Sequence, residues 1–251
     1  MGRSDAQVLL SLMRGQPRHG ALAARLQAFY GPQAEHYDAF RERLLHGRAE
    51  LLWQLAPRPG ASVIELGAGT GRNLGFLGER LSTLESVELV DLCPALLEQA
   101  RRRTRRLPNV RVVEADAVTY RPARPVDLVY FSYSLTMIPD WEGALRNALT
   151  MLKPGGTLGL VDFYVSDPTP VPGLVHHGAL TRWFWPRWFA HDGVRPDPAH
   201  LRLLRRLLPA HRLRQHRAPV PYLPGLRVPY YVFIGRLPGG IMRQSNESRT
   251  S

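Results

Sequence analysis

One cysteine, Cys93, and one lysine, Lys153, occur among the 251 residues. A lone cysteine excludes an internal disulfide framework and any zinc site built from cysteine pairs. No apolar run approaches the roughly 20 residues that a membrane span needs. The first twenty residues carry polar side chains every few positions and no apolar core segment, so they do not read as a secretion signal. From these absences we expect a cytoplasmic chain without a membrane span. With 44% hydrophobic and 22% charged residues, the composition is that of a globular protein able to bury a core.

Acidic residues are scarce as well. There are 21 against 33 basic residues, which leaves a formal charge of +12 at pH 7. Such an excess attracts polyanions, either nucleic acid or an anionic membrane surface. Nearly all the positive charge is arginine, whose planar fork bonds phosphate and carboxylate bidentately. GC-rich coding explains the arginine bias equally well, and charge alone does not choose between RNA and lipid.

What is present is an alternation of apolar runs, Gly or Pro punctuation and helical stretches between about residues 60 and 165. That alternation reads as βαβ units on a parallel sheet. Strands are expected at Ser62–Leu66, Ser86–Val90, Val110–Glu114, Leu128–Ser132 and Thr157–Phe163, and a last strand within Arg227–Arg236. Helices are expected at Asp38–Leu55, Asn73–Leu81, Pro94–Arg103 and Trp141–Met151, with Pro94 at a first helical position and Asp140 as an N-cap. Pro154-Gly155-Gly156 is expected to close the last of these helices. The chain reads as a single domain over 1–240, an α/β doubly wound sheet. An N-terminal helical cap spans 1–58, an aromatic-rich insertion 166–200, and a disordered tail 241–251.

The most informative stretch is Val63-Ile64-Glu65-Leu66-Gly67-Ala68-Gly69-Thr70-Gly71-Arg72-Asn73. An apolar strand ends in an acid, and a glycine loop then opens a helix. Glycines let the backbone approach a ligand closely. The G-x-G-x-G spacing after Glu65 differs from the G-x-G-x-x-G of dinucleotide-binding folds. Asp91 ends the second strand, where an acid accepts ribose hydroxyl hydrogen bonds. Asp116-Ala117 follows the third. These features resemble the class I S-adenosylmethionine-dependent methyltransferases, which have a seven-stranded Rossmann-like sheet. The resemblance implies S-adenosylmethionine as cofactor and Glu65, Gly67, Gly69, Gly71, Asn73, Asp91, Leu92, Asp116, Ala117, Ser132 and Tyr37 as its binding residues.

Other segments narrow the resemblance. They are Phe29-Tyr30-Gly31-Pro32-Gln33-Ala34, Tyr37-Asp38-Ala39-Phe40-Arg41, Leu44-Leu45-His46-Gly47-Arg48, Val90-Asp91-Leu92-Cys93-Pro94, the run Ser132 to Trp141, Val161-Asp162-Phe163-Tyr164-Val165 and Val228 to Gly235. Together they resemble the N-methyltransferase component of betaine-lipid synthesis, from about Phe29 to Arg236, nearly the whole domain. The resemblance implies an enzyme that methylates the amine of diacylglyceryl-homoserine three times, giving diacylglyceryl-trimethylhomoserine. It also implies a functional partnership with an aminocarboxypropyl-transferring enzyme. Phosphatidylethanolamine N-methylation and an RNA-directed methyltransferase are the alternatives. No RNA-binding module signature is present, so no nucleic-acid partner is expected.

A quaternary ammonium product is best hosted by aromatic faces, which makes Tyr37 and Tyr133 leading candidates for an amine pocket and Tyr164 a third. His46 reads either as a base or as a packed histidine, and Asp162 as a weaker candidate base. Arg41, Arg43 and Arg48 can grip a substrate carboxylate or form a solvated face. The adjacent His176-His177 pair lacks the spacing of a metal site, and no metal is expected. Trp183, Trp185 and Trp188, interleaved with Arg182 and Arg187, read either as an anchor at headgroup depth or as a lid over the active site, with Arg182 a candidate for the substrate headgroup. Arg202, Arg205, Arg206 and Arg212 add attraction to an anionic membrane surface. The stretch Ser4–Arg14 reads as a cap helix or a surface-bound amphipathic helix. Peripheral membrane association follows from these readings.

Overall fold

A computed structural model of the chain describes residues 20–31, 43–190, 192–221 and 223–239. The expected cap positions Tyr37 and Arg41, the stretch Ser4–Arg14 and the tail 241–251 lie outside the described residues.

The centre of the molecule is β1 (Ser62–Leu66), whose five residues are all buried. Such a continuous buried run is what a parallel strand covered on both faces requires. Around it stand β2 (Ser86–Asp91), β3 (Val110–Glu114), β4 (Val126–Ser132), β5 (Leu152–Phe163), β6 (His211–Val220) and β7 (Leu223–Arg236), in the order β3-β2-β1-β4-β5-β7-β6. The first five are parallel; β7 runs antiparallel between β5 and β6. The result is a seven-stranded, doubly wound Rossmann-like sheet.

Alternate residues of a strand face opposite sides of a sheet, and the core divides accordingly. Val63, Leu89, Tyr130, Val161 and Phe163 join one buried cluster. Ile64, Leu66, Phe131, Leu158, Leu160 and Phe233 join the other. The first face is covered by α2 (Arg48–Leu55), by Ala100 of α3 (Pro94–Thr104) and by Trp185 and Phe189 of α5 (Ala179–Ala190). The second is covered by α4 (Trp141–Met151) and α6 (Ala199–Leu207) through Ala144, Leu145, Ala148, Leu201 and Leu204. Helix α1 (Leu22–Tyr30) packs its Phe29 and Tyr30 on Cys93 and Leu96 at the start of α3.

Local signals hold at two helix starts. Pro94 opens α3, and the Asp140 carboxylate accepts the Gly143 N–H at 2.9 Å. Four expectations need correction. The helix expected over Asn73–Leu81 is a run of 3₁₀ turns over Arg72–Thr83, broken where Gly78 leaves helical geometry at φ 55° and ψ −135°. The helix expected over Asp38–Leu55 is interrupted in its described part: Arg43 and Leu44 are helical, residues 45–47 are not, and the helix resumes at Arg48 after Gly47 takes the left-handed conformation at φ 80°. Pro154-Gly155-Gly156 does not separate helix from strand. The strand starts at once at Leu152, and the register shift against β4 falls around these residues. The edge strand β6 was not foreseen, since its His211-Arg212-Leu213-Arg214-Gln215-His216-Arg217 run has no apolar core and is held only on one side, by β7.

Gly47 turns the chain so that α2 can lie across β5 and β7. A Cβ there would come within 2.6 Å of the Tyr230 ring and 3.2 Å of Val161. Gly47→Ala should therefore lower the unfolding free energy in urea by about 1–3 kcal/mol, from positive-φ strain and overpacking together; an unchanged midpoint would show that the turn relaxes freely.

Candidate active site

Strand order reverses between β1 and β4, and in open α/β sheets ligands bind outside the carboxyl ends of the strands at this point. A cleft of about 940 Å³ of non-protein space, partly open to solvent, lies there. Gly67, Ala68, Gly69, Thr70 and Asn73 form its floor, with Asp91 and Leu92 after β2, Asp116 and Ala117 after β3, and Ser132, Tyr133 and Ser134 after β4. The N-terminal segment closes it with Leu22, Leu26 and Tyr30 of α1, then Leu45 and Arg48.

The glycine loop is held by the strand beside it, since the Gly67 and Ala68 N–H groups donate to the Val90 carbonyl at 2.8 and 3.0 Å. Gly67 has φ 74°, and a Cβ on it would lie 2.2 Å from the Ser134 Cβ. The loop and the exit of β4 thus approach too closely for any side chain. Ser134 closes the contact by donating its hydroxyl to the Leu66 carbonyl at 2.7 Å. Asp91 accepts the Gly69 N–H at 2.8 Å on one carboxylate oxygen and the Cys93 N–H at 2.8 Å on the other. Burial raises its pKa, opposed by those backbone donors. Asp116 is fixed in the same manner by the Val118 N–H at 2.8 Å.

Glu65 is fully buried and does not line the cleft. Its two oxygens accept from the Asn73 amide at 2.6 Å and the Tyr130 hydroxyl at 2.8 Å. Arg48, itself buried, donates to the Leu45 carbonyl at 3.0 Å and reaches the Asn73 carbonyl oxygen at 3.4 Å. Its guanidinium lies 5.5 Å from the centroid of the Phe76 ring. Burial pushes the Glu65 carboxyl up to about 7 against the lowering effect of Asn73, Tyr130 and Arg48. Glu65 is thus a positioning residue beneath the loop, while Asn73 and Arg48 reach the cleft. Gly71 likewise stands behind the cleft, where a Cβ would meet Leu89 of β2 at 2.8 Å.

Tyr133 lines the cleft with an unusual backbone, φ 55°. Its hydroxyl donates to the His46 carbonyl at 2.6 Å, and its ring packs 4.6 Å from that of Phe163. The tyrosine therefore ties the N-terminal segment to the end of β4. Asp162 points inward, accepting the Thr136 hydroxyl at 2.7 Å, the Thr136 N–H at 3.1 Å and the Phe163 N–H at 2.8 Å. Burial holds its carboxyl up at about 6 despite those donors. It anchors the turn Leu135–Met137, which presents Met137 to the cleft.

The other candidates fall elsewhere. The His46 ring stacks toward Tyr230 at 6.4 Å. Tyr164 is buried on the opposite face of the sheet against His177 and Tyr231 at 5.3 and 6.2 Å. Arg43 is exposed. Arg182 donates to the His177 carbonyl and lies 3.1 Å from His176 Nε2. None of these four lines the cleft. Tyr30 was missed as a site residue, although its hydroxyl donates to the Met137 sulfur at 3.1 Å across the cleft. The spacing of four between Leu22, Leu26 and Tyr30, one face of a helix, was the signal available.

This fold and this cleft are similar to those of class I S-adenosylmethionine-dependent methyltransferases. Residues 63–156 match the family described as methyltransferase domain. The trans-aconitate 2-methyltransferase of Methylobacterium radiotolerans is 34% identical over 124 residues, 49% of this chain and 46% of that protein. The demethylmenaquinone methyltransferase of Tropheryma whipplei is 28% identical over 154 residues, 58% of this chain and 62% of that protein. In the first of these matches the chain spans about half the length of its relative. Among solved structures, a Haemonchus contortus phosphoethanolamine N-methyltransferase superposes with a TM-score of 0.65 at 13% identity, covering 88% of this chain and 61% of that one. A putative methyltransferase from Bacillus halodurans superposes with a TM-score of 0.58 at 16% identity, covering 76% of this chain and 98% of that one.

S-adenosylmethionine is the cofactor, and the residues present fit it. The backbone of Gly67, Ala68 and Gly69 lines the cleft directly, Asp91 offers a carboxylate for ribose hydroxyls, and Asp116-Ala117 offers an edge for adenine. Asp91→Ala should raise the Kd for S-adenosylhomocysteine about tenfold or more, since hydrogen bonds to a charged group contribute roughly 1.5–3 kcal/mol; unchanged calorimetric binding would remove Asp91 from the ribose site.

Glu65 predicts a pH effect. Its carboxyl rises from 4.5 to about 7 on folding, so the folded chain keeps a proton that the unfolded chain releases between those values. This group's contribution to stability is full below about pH 4.5 and is lost as pH climbs toward 7. Between about pH 5 and pH 8 the parent should lose roughly 2 kcal/mol relative to Glu65→Gln. Parallel stability–pH curves in urea would show that the carboxyl ionises freely in the fold.

Proposed function

We propose that the chain is an N-methyltransferase that trimethylates the amine of diacylglyceryl-homoserine to give diacylglyceryl-trimethylhomoserine. The observation that carries this reading is the pairing, in one cleft, of a buried guanidinium with aromatic faces beside the cofactor floor. A homoserine headgroup carries a carboxylate and an amine on the same carbon. Arg48 meets the carboxylate with a planar cation, while the rings of Tyr30 and Tyr133 suit an amine that becomes a fixed quaternary cation. The resemblance over Phe29 to Arg236 supports the same substrate, and the superposed Haemonchus enzyme was solved with phosphomonomethylethanolamine and S-adenosylhomocysteine.

When bound, S-adenosylmethionine supplies the methyl group, one in each of three rounds. The protein's contribution is to orient and to exclude. Holding two reactants in line lowers a barrier by roughly 7–11 kcal/mol in favourable cases. Each round releases one proton from the amine. None of the described residues lining the cleft is histidine or lysine, so the proton leaves to water at the open mouth. Tyr133 and the Tyr30–Met137 contact keep the N-terminal segment over the headgroup.

A second reading is transfer to a carboxylate oxygen of a small acid. The 34% identity with a trans-aconitate 2-methyltransferase favours it, and Arg48 would serve it equally. Mass spectrometry of lipids separates the two. In a host co-expressing the aminocarboxypropyl-transferring enzyme, the expected outcome is trimethylhomoserine lipid with this chain and unmethylated homoserine lipid without it. Homoserine lipid left unmethylated beside folded, cofactor-binding protein would overturn the lipid substrate and leave the methyltransferase class standing.

A further inference from the structure

We propose that the outer face of α5, with the loop before it, is a docking surface for a bilayer containing anionic lipid. Seven large hydrophobic side chains are exposed among the described residues, and five of them fall between residues 171 and 188: Val171, Val175, Leu180, Trp183 and Trp188. Scattered single residues of this kind are ordinary, whereas a concentration marks an interaction surface. The helix separates its faces sharply. Trp185 and Phe189 are 3% and 4% exposed, while Leu180, Trp183 and Trp188 are 75%, 54% and 45% exposed. Leu180, Trp183 and Arg187 follow a spacing of three and four, one helical stripe pointing away from the core.

Two properties of the stripe select lipid over a protein partner. First, its large rings are indoles, which settle at headgroup depth with an apolar body and a polar N–H. The Arg187 guanidinium lies over the Trp183 ring at 5.0 Å, so cation and indole are presented together. Second, the charge is complementary to an anionic surface. Helix α5 holds two arginines and no acid, and residues 166–208 hold six arginines against three aspartates. One aspartate, Asp167, is paired with Arg202. Arg205 and Arg206 of α6 extend the positive field beside the same loop, where Arg205 donates to the Pro172 carbonyl at 3.0 Å.

The surface is coupled to the cleft. Phe189 stacks on Phe163 at 4.3 Å, and Phe163 packs on Tyr133 at 4.6 Å, which lines the cleft. Just past the helix, the Arg195 N–H donates to the Thr136 carbonyl at 2.8 Å in the turn that carries Met137. A helix seated on a bilayer would thus hold the cleft wall beside the headgroup layer. This coupling rests on the lipid reading of the function; the docking itself does not.

The test is co-sedimentation of the full chain with phosphatidylcholine vesicles, with and without phosphatidylglycerol. The expected result is strong partition onto the anionic vesicles, weakened by salt, and about a tenfold loss in L180A/W183A/W188A. Arg187→Gln should reduce partition on anionic vesicles alone. S-adenosylhomocysteine binding by calorimetry should match the parent in both variants, which confirms that each is folded. Parent-like partition of the triple variant overturns the proposal. So does a parent that ignores both vesicle types, or a dimer in equilibrium sedimentation that the triple variant abolishes, since the face would then bind a second copy. Normal vesicle binding with homoserine lipid left unmethylated would sink the proposed substrate and leave the docking surface intact.

Discussion

Everything at the cofactor end of the molecule is arranged around a carboxyl group buried in the middle strand of the sheet. Glu65 has no exposure at all, and an isolated charge so placed is too costly to persist. Its environment answers with an amide from Asn73, a hydroxyl from Tyr130 and the field of Arg48, and by pushing the carboxyl up to about 7. Each of those partners comes from a different part of the chain. Asn73 follows the glycine loop, Tyr130 belongs to β4, and Arg48 opens α2. Satisfying one carboxyl therefore joins loop, sheet and N-terminal segment into one unit, and the loop inherits the rigidity of the strand beneath it.

The four acids near the cleft divide by the direction in which they point. Glu65 and Asp162 face the interior, and burial raises both pKa values. Asp91 and Asp116 face the cleft, each already oriented by backbone N–H groups. The inward pair shapes the backbone, one under the glycine loop and the other under the turn that carries Met137. The outward pair is left to meet a ligand. Tyr133 stands between the two sets, and its left-handed backbone is stabilised by ring packing on Phe163 and the bond to the His46 carbonyl. Strain of this kind persists only where surrounding contacts over-determine it.

That same ring contact links the site to the surface. Tyr133, Phe163, Phe189 and Trp185 form a continuous row of aromatic neighbours from the cleft wall into α5. Aromatic rings resist deformation and pack tightly, so whatever fixes the helix also fixes one wall of the cleft. The aromatic insertion is therefore part of the site's support, whichever molecule meets its outer face.

Short-range chemistry was legible directly. The β1 run, the glycine spacing, the acid closing β2, Pro94 and the Asp140 cap each depend on a few adjacent residues, and the structure forms all of them. The broken helix after Asn73 was not legible, because Gly78 is tolerated or breaking according to what packs around it. Strand β6 escaped notice because its pairing with β7, and no apolar run of its own, makes it a strand. Tyr164 sits next in sequence to cleft-adjacent Phe163, yet alternation sends it to the other face of the sheet. By itself the sequence determined the class of fold, the cofactor loop and the excess of positive charge, since local periodicity and composition carry these. Only the tertiary structure decided that Glu65 and Asp162 are supports, that Tyr30 and Arg48 reach the cleft, and that Arg182 does not, because a side chain's role follows from what other segments bring within hydrogen-bonding distance.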